Sequence, residues 1–172
     1  METNNQLYET MYNSLASLGM CEGGLAAWSE ELDQDAICKT MHRYLDFILE
    51  RDYPSSEFIE EHFDRDILHS NRIYVNEDFS TDNIPNGSYI LNGSCTGNIA
   101  SVGYAAVTLH VRHTGKMVIR AKGMSCVYVR VYDDAEVEIH QEERSKVHVY
   151  RYGDRCKVNA TGNVSVRDRD VY

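Results

Sequence analysis

The chain has 172 residues, 42% of them apolar and 26% charged. That balance belongs to a folded polypeptide long enough to bury a core and excludes a disordered tail. Its formal charge of −10 argues against a protein whose main task is to wrap duplex DNA, because neutralising phosphates needs cationic surface.

The charge is unevenly laid out. Residues 1–83 hold 18 Asp/Glu against 5 Lys/Arg, a net of −13, and residues 84–172 hold 9 against 12, a net of +3. A concentrated acidic field attracts basic surfaces and repels nucleic acid, although acidic helices also occur simply as solvated faces. Residues 1–5 lack the basic start and apolar stretch of a secretory signal, and no run approaches the roughly 18 apolar residues of a membrane span. The expected compartment is the cytoplasm, with no membrane partner. Cys21, Cys38, Cys95, Cys126 and Cys156 are an odd number at wide spacings without a C-x-x-C pair, which reads as free thiols rather than a disulfide framework or a zinc knuckle.

The first part, residues 1–72, reads as helical. Leu7, Met11, Leu15 and Leu18 form one stripe of a helix over residues 6–18 that Gly19 ends. A connector with a short helix is expected over residues 25–32. Ile37, Met41, Tyr44, Leu45, Ile48 and Leu49 recur at three- and four-residue intervals and predict one helix over residues 33–51, with Asp33 and Asp35 at its start. The Asp52-Tyr53-Pro54 sequence stops it, and Ser55 or Ser56 can cap a short helix bearing Phe58, Ile59 and Phe63. His42, His62 and His69 lie among carboxylates, but no spacing matches H-E-x-x-H or a facial triad, so no metal is expected.

Residues 73–83 read as a linker, and beyond them the period changes. A small residue followed by two alternating apolar residues recurs every ten positions: Ala105/Val107/Leu109, Gly115/Met117/Ile119, Ser125/Val127/Val129, Ala135/Val137/Ile139 and Ser145/Val147/Val149. Cys156/Val158/Ala160 follows after eleven residues, and Val164/Val166 closes the series. Alternation means strands, and constant phase means that like positions stack across successive turns of the chain. The fold class expected is therefore α+β: helices, then a β-solenoid over residues 84–172 with two short strands per coil of about 20 residues. An antiparallel meander, the rival, would not demand a constant decad. Gly103, Gly123, Asp133-Asp134 and Gly153-Asp154 fall at the remaining corners, and residues 84–103 are expected as an irregular first coil.

If the valines point inward, one outward face carries His110 and Arg112, then Tyr128, Arg130 and Tyr132, then His148, Tyr150 and Tyr152. These aromatic and cationic side chains favour binding hot spots and base or sugar stacking, unless the helical part folds over them. The opposite face alternates in charge from rung to rung and is explained by cross-strand pairs such as Lys116 with Glu136 and Lys122 with Glu142. His110 and His113 face opposite ways on a strand. No nucleophile, base and pocket come together, so neither catalysis nor a cofactor is expected.

The segment PSSEFIEEHFDRDILHSNRIYVNE (residues 54–77), followed by the Val-x-Val rungs with YDDAEVEI and VHVYRYGD, resembles small uncharacterised bacterial proteins of mobile-element or prophage type, in which a helical portion precedes a β-solenoid tail. The resemblance implies a non-catalytic accessory protein in a bacterial or phage setting and carries no site residues with it.

Together these features point to an acidic interaction protein that occupies a protein partner's surface, such as a basic nucleic-acid-binding groove, as an inhibitor of a host defence enzyme would. The alternatives are a carbohydrate- or single-stranded nucleic-acid-binding solenoid that uses the Tyr/Arg/His face, and an enzyme of unknown type. A homodimer is a further expectation, since an uncapped solenoid end and a flat tyrosine face both offer self-complementary surface.

Overall fold

The computed structural model describes residues 4–28 and 32–170, in two compact units that divide between Asn71 and Arg72. Expectations resting on residues 1–3, on residues 29–31 within the expected connector, and on residues 171–172 fall outside the described residues.

The first unit is helical: α1 (Asn4–Ser17), α2 (Glu22–Leu25), α3 (Gln34–Arg43), α4 (Leu45–Arg51), α5 (Ser56–His62) and α6 (Arg65–Ser70). Leu7, Met11 and Leu15 of α1 are buried along the expected stripe, and Gly19 leaves the helix at φ +88°. The single helix expected over residues 33–51 is two. The helix is interrupted at Tyr44 (φ −108°, ψ 30°), whose N–H still donates to the Thr40 carbonyl at 3.1 Å. Asp33 caps α3 by accepting from Ala36 N–H (2.8 Å), and Ser55, rather than Ser56, caps α5 by accepting from Phe58 N–H (3.2 Å). Asp64 caps α6 in the same way. Gln34 ties α3 to the α5–α6 turn: its amide donates to the His62 carbonyl (3.0 Å) and accepts from Asp64 N–H (2.8 Å).

The second unit is a parallel β-solenoid. Its strands are β1 (Ile73–Val75), β2 (Gly87–Asn92), β3 (Thr96–Ser101), β4 (Ala106–Val111), β5 (Lys116–Ala121), β6 (Cys126–Tyr132), β7 (Glu136–Gln141), β8 (Lys146–Tyr152), β9 (Lys157–Thr161) and β10 (Val164–Arg169). They form a six-stranded sheet in the order β1-β2-β4-β6-β8-β10 and a four-stranded sheet in the order β3-β5-β7-β9. All ladders are parallel, which excludes the meander, and the central ones are offset by 20 residues, as Leu109 opposite Val129 and Ile119 opposite Ile139 show. The β7–β9 ladder is offset by 21, where Val158 faces Val137, so the eleven-residue step in the sequence is one extra residue in a coil.

Val107, Leu109, Met117, Ile119, Val127, Val129, Val137, Ile139, Val147 and Val149 fill the interior between the two sheets. Isologous side chains stacked one rung apart give each coil a dry contact with the next, and that contact supplies the stability of a solenoid.

Two stretches differ from expectation. Residues 73–83 are a coil rather than a linker: Ile73 and Val75 of β1 pair in parallel with β2 and are buried, and Phe79 and Thr81 N–H donate to carbonyls of β3. Residues 84–103 are a regular coil. In both, the strands are short or carry Gly, Asn and Ser where later coils carry Val, so alternation is too weak to see in the sequence. Tyr74 stacks on Phe79 at 3.9 Å, and Phe79 on Tyr89 at 5.9 Å, so rings take the place of the valine ladder here.

The corners follow the decad as well. Left-handed residues recur every ten positions at Gly93, Gly103, His113, Gly123, Asp133, Glu143 and Gly153. Where the residue is not glycine, its side chain reaches one coil back and accepts a backbone hydrogen bond: Gly93 N–H donates to His113 Nδ1 (2.9 Å), His113 N–H to Asp133 Oδ2 (3.0 Å) and Gly123 N–H to Glu143 Oε2 (2.8 Å). These bonds offset the steric cost of positive φ.

Candidate functional site

Alternation along β4, β6, β8 and β10 fixes which side chains leave the core. Because the valines face inward, the outward rows of the six-stranded sheet read Thr108, Tyr128, His148 and Ser165; then His110, Arg130, Tyr150 and Arg167; then Tyr132, Tyr152 and Arg169. Every expected face residue lies on this side, Arg112 from the corner that follows β4. The face is not open along its whole length, a point that alternation left undecided. His110, Arg112 and Tyr132 are only 2%, 5% and 5% exposed. On the same side, Ile73, Val75 and Ile90 of the first two strands are buried. Stacking and charge hold this part together. The Tyr132 ring lies 6.3 Å from His110 and 4.6 Å from Tyr152, while Arg112 sits 5.7 Å over Tyr132 and 3.4 Å from the Asp133 carboxylate.

Toward β10 the same face opens. Tyr128 is 39% exposed, and Arg130, His148, Tyr150 and Tyr152 are half-buried. Tyr128 stacks on His148 at 5.2 Å with planes 21° apart. A hydrogen bond with Cys126 pushes the Tyr128 phenol up, with nearby charge and burial adding to it. Arg167 and Arg169, both exposed, continue the rows, and the Arg169 guanidinium lies 5.2 Å over the Tyr150 ring. The outward positions of β6, β8 and β10 contain no carboxylate. Asp168 occupies the inward phase and is bound by Arg151 of β8 (2.6 Å), a hydrogen bond that in turn raises the Arg151 pKa.

Arg167, Asp168 and Arg169 alternate in charge along the last strand. The arginines' place in the outward rows was hidden because β10 pairs with β8 at an offset of 17 rather than 20. The alternation of Val164 and Val166 was the signal that puts residues 165, 167 and 169 outward.

The four-stranded sheet presents a different surface. Glu136 lies between Lys157 (2.7 Å) and Lys116 (3.8 Å), Lys122 pairs with Glu142 (3.1 Å), and His140 contacts Glu138 (2.8 Å) and Thr161 (3.1 Å). The two expected pairs form. A shallow groove over Lys116, Val118, Glu136, Glu138, Lys157 and Asn159 is therefore lined by charges that already satisfy one another.

In the helical unit, residues 1–71 hold 15 Asp/Glu against 4 Lys/Arg, a net of −11. Asp46, Glu50, Glu57, Glu60, Glu61 and Asp66 of α4 to α6 are exposed. Asp35 is held below the usual carboxylate range by hydrogen bonds from Lys39 and Asn71, and burial pushes the Cys38 thiol up to about 12, which leaves it inert. Among the described residues no group of three His, Cys, Asp or Glu side chains is placed to share a metal ion, and no helix is long and apolar enough to cross a membrane. His113 is tied to the corner ladder, and Cys126 lies opposite Lys146. Comparison with protein-family models, with curated proteins and with solved structures finds no match.

Proposed function

We propose that this is a non-catalytic binding protein whose acidic helical unit occupies a basic, nucleic-acid-binding surface on a protein partner. The observation that carries the proposal is the confinement of a net −11 to residues 1–71, with carboxylates exposed on α4, α5 and α6. Such a field matches the sign of a nucleic acid and steers a cationic groove toward it. The bacterial or phage setting implied by the resemblance gives the role a purpose, inhibition of a host defence enzyme in the cytoplasm.

The test is competition. Purified nucleic-acid-binding enzymes are titrated with the full chain in the presence of labelled duplex DNA, at low salt and at about 0.5 M, where charges separated by more than a few ångströms are screened. Displacement of DNA that weakens with salt, and that weakens again when Glu57, Glu60 and Glu61 are changed together to Gln, supports the proposal. Displacement indifferent to salt and to these substitutions overturns it.

A further inference from the structure

We propose that the open part of the six-stranded sheet is a binding site for single-stranded nucleic acid, independent of the acidic unit's role. The ring ladder has a step in it. Tyr128 stacks on His148, and the next position in that row, one strand further on, is Ser165. Parallel strands lie about 4.8 Å apart, so the small Ser165 side chain leaves a shelf one ring deep beside the His148 imidazole. An unstacked nucleobase has the thickness and flat π-face to occupy that shelf.

The surroundings of the shelf are cationic. Arg167 and Arg169 follow Ser165 on the same side of β10, Arg130 is in register with Tyr150, and no outward carboxylate lies on these strands. A flat group on the shelf with an anion beside it is what one nucleotide of a single strand offers. A duplex keeps its bases inside the stack, a neutral sugar makes no use of the arginines, and an acidic peptide makes no use of the shelf. The net charge of −10 does not oppose this, because residues 72–172 hold 13 Lys/Arg against 12 Asp/Glu and Arg130, Arg167 and Arg169 lie on the outward rows around the shelf.

The experiment is fluorescence anisotropy of a labelled oligothymidine of about twelve nucleotides, a length in the range that one such groove tracks, with the full chain at several salt concentrations. Expected is salt-dependent binding that Ser165→Tyr, which fills the shelf while extending the ring ladder, weakens roughly tenfold, as loss of one stacked base does. His148→Ala gives a similar loss. Arg167→Ala and Arg169→Ala each make the slope of log affinity against log salt shallower by about 0.7. Circular dichroism and melting of Ser165→Tyr verify its fold. The Glu57/Glu60/Glu61→Gln variant retains oligothymidine binding even if it loses partner competition, so the two proposals fail separately. Absence of binding at low salt, full affinity in Ser165→Tyr, or equal affinity for duplex DNA, polyphosphate, polyglutamate or a neutral oligosaccharide overturns the inference.

Discussion

Single positions in the solenoid are decided by phase and by close approach. Val129 is fully buried and stacks between Leu109 and Val149, whereas the next residue, Arg130, lies on the outward rows. Val129→Asp buries an unpaired charge between coils and is expected to cost roughly 3 to 5 kcal/mol, or about 10 °C in melting midpoint for a chain of this size. Arg130→Asp keeps the fold within a few degrees, because it changes charge on the outer face only. Melts of the pair decide it: equal losses, or the larger loss at Arg130, would mean the strand phase is inverted. Close approach sets a second contrast. A β-carbon on Gly97 would lie 2.2 Å from the Phe79 carbonyl oxygen, where the first coil runs parallel beside β3, while one on Gly103 meets nothing within 4 Å. Gly103→Ala is therefore expected to cost about 1 kcal/mol, the strain of its φ of +67° alone, and Gly97→Ala clearly more. Urea titration of both measures the difference, and a Gly97→Ala chain as stable as Gly103→Ala would place residues 77–83 away from β3.

Between strands, charge pairing on the four-stranded sheet gives a pH signature. Lys157 by hydrogen bonding, with Lys116 and Lys157 by charge, holds Glu136 below the ordinary glutamate value of 4.5. A carboxyl whose folded pKa is depressed stabilises the fold at pH values above its unfolded pKa and loses that contribution as pH falls through the folded one. Stability at the β5–β7–β9 ladder is thus expected to be flat from neutrality down to about pH 5 and to fall below it, with a smaller fall in Glu136→Gln. Salt should shrink the effect, since the pair is exposed, and identical acid limbs for the two proteins would remove Glu136 from the account. The same ladder shows what the sequence made legible. Lys116 with Glu136 and Lys122 with Glu142 could be paired from the decad alone, because a constant period fixes register without any knowledge of the turns. Where the period breaks, legibility ends. The offsets of 17 at β1–β2 and β8–β10 concealed the first coil and the arginine rows. The burial of His110, Arg112 and Tyr132 could not be read either, since alternation tells which side of a strand a residue faces and not whether that side is covered. In the helical unit, the apolar stripe located α3 and α4, but it runs on through Tyr44, so the backbone break there (φ −108°, ψ 30°) is not encoded in the periodicity.

Across the solenoid as a whole, stability is a sum over contacts between neighbouring coils, and a coil with one neighbour is held by half as many as a coil with two. The side chains record this. In one inward row Val129 and Val149 are fully buried, and Val166 of β10 is 44% exposed. In the opposite sheet Ile119 and Ile139 are fully buried, and the same row ends in the small, exposed Ala160 of β9. Local opening should therefore run inward from β9 and β10, with β6 and β7 the last to open. Hydrogen exchange on the full chain measures the gradient directly. Amides of β6 and β7 are expected to exchange at the rate set by global unfolding, and those of β9 and β10 many times faster. A matched pair of substitutions then separates the two levels. Val166→Ser should speed exchange in β9 and β10 and leave the melting midpoint within about 2 °C, because it deletes a contact the terminal coil already lacks on one side. Val149→Ser opens a polar defect between two complete coils, so it should lower the midpoint and speed exchange in β6, β7 and β8 together. Uniform protection from β2 to β10, or a Val166→Ser midpoint as low as that of Val149→Ser, would show that the terminal coil is held as firmly as the interior. The arginine rows that border the Ser165 shelf ride on that coil, so whatever binds them should slow exchange at β10 first.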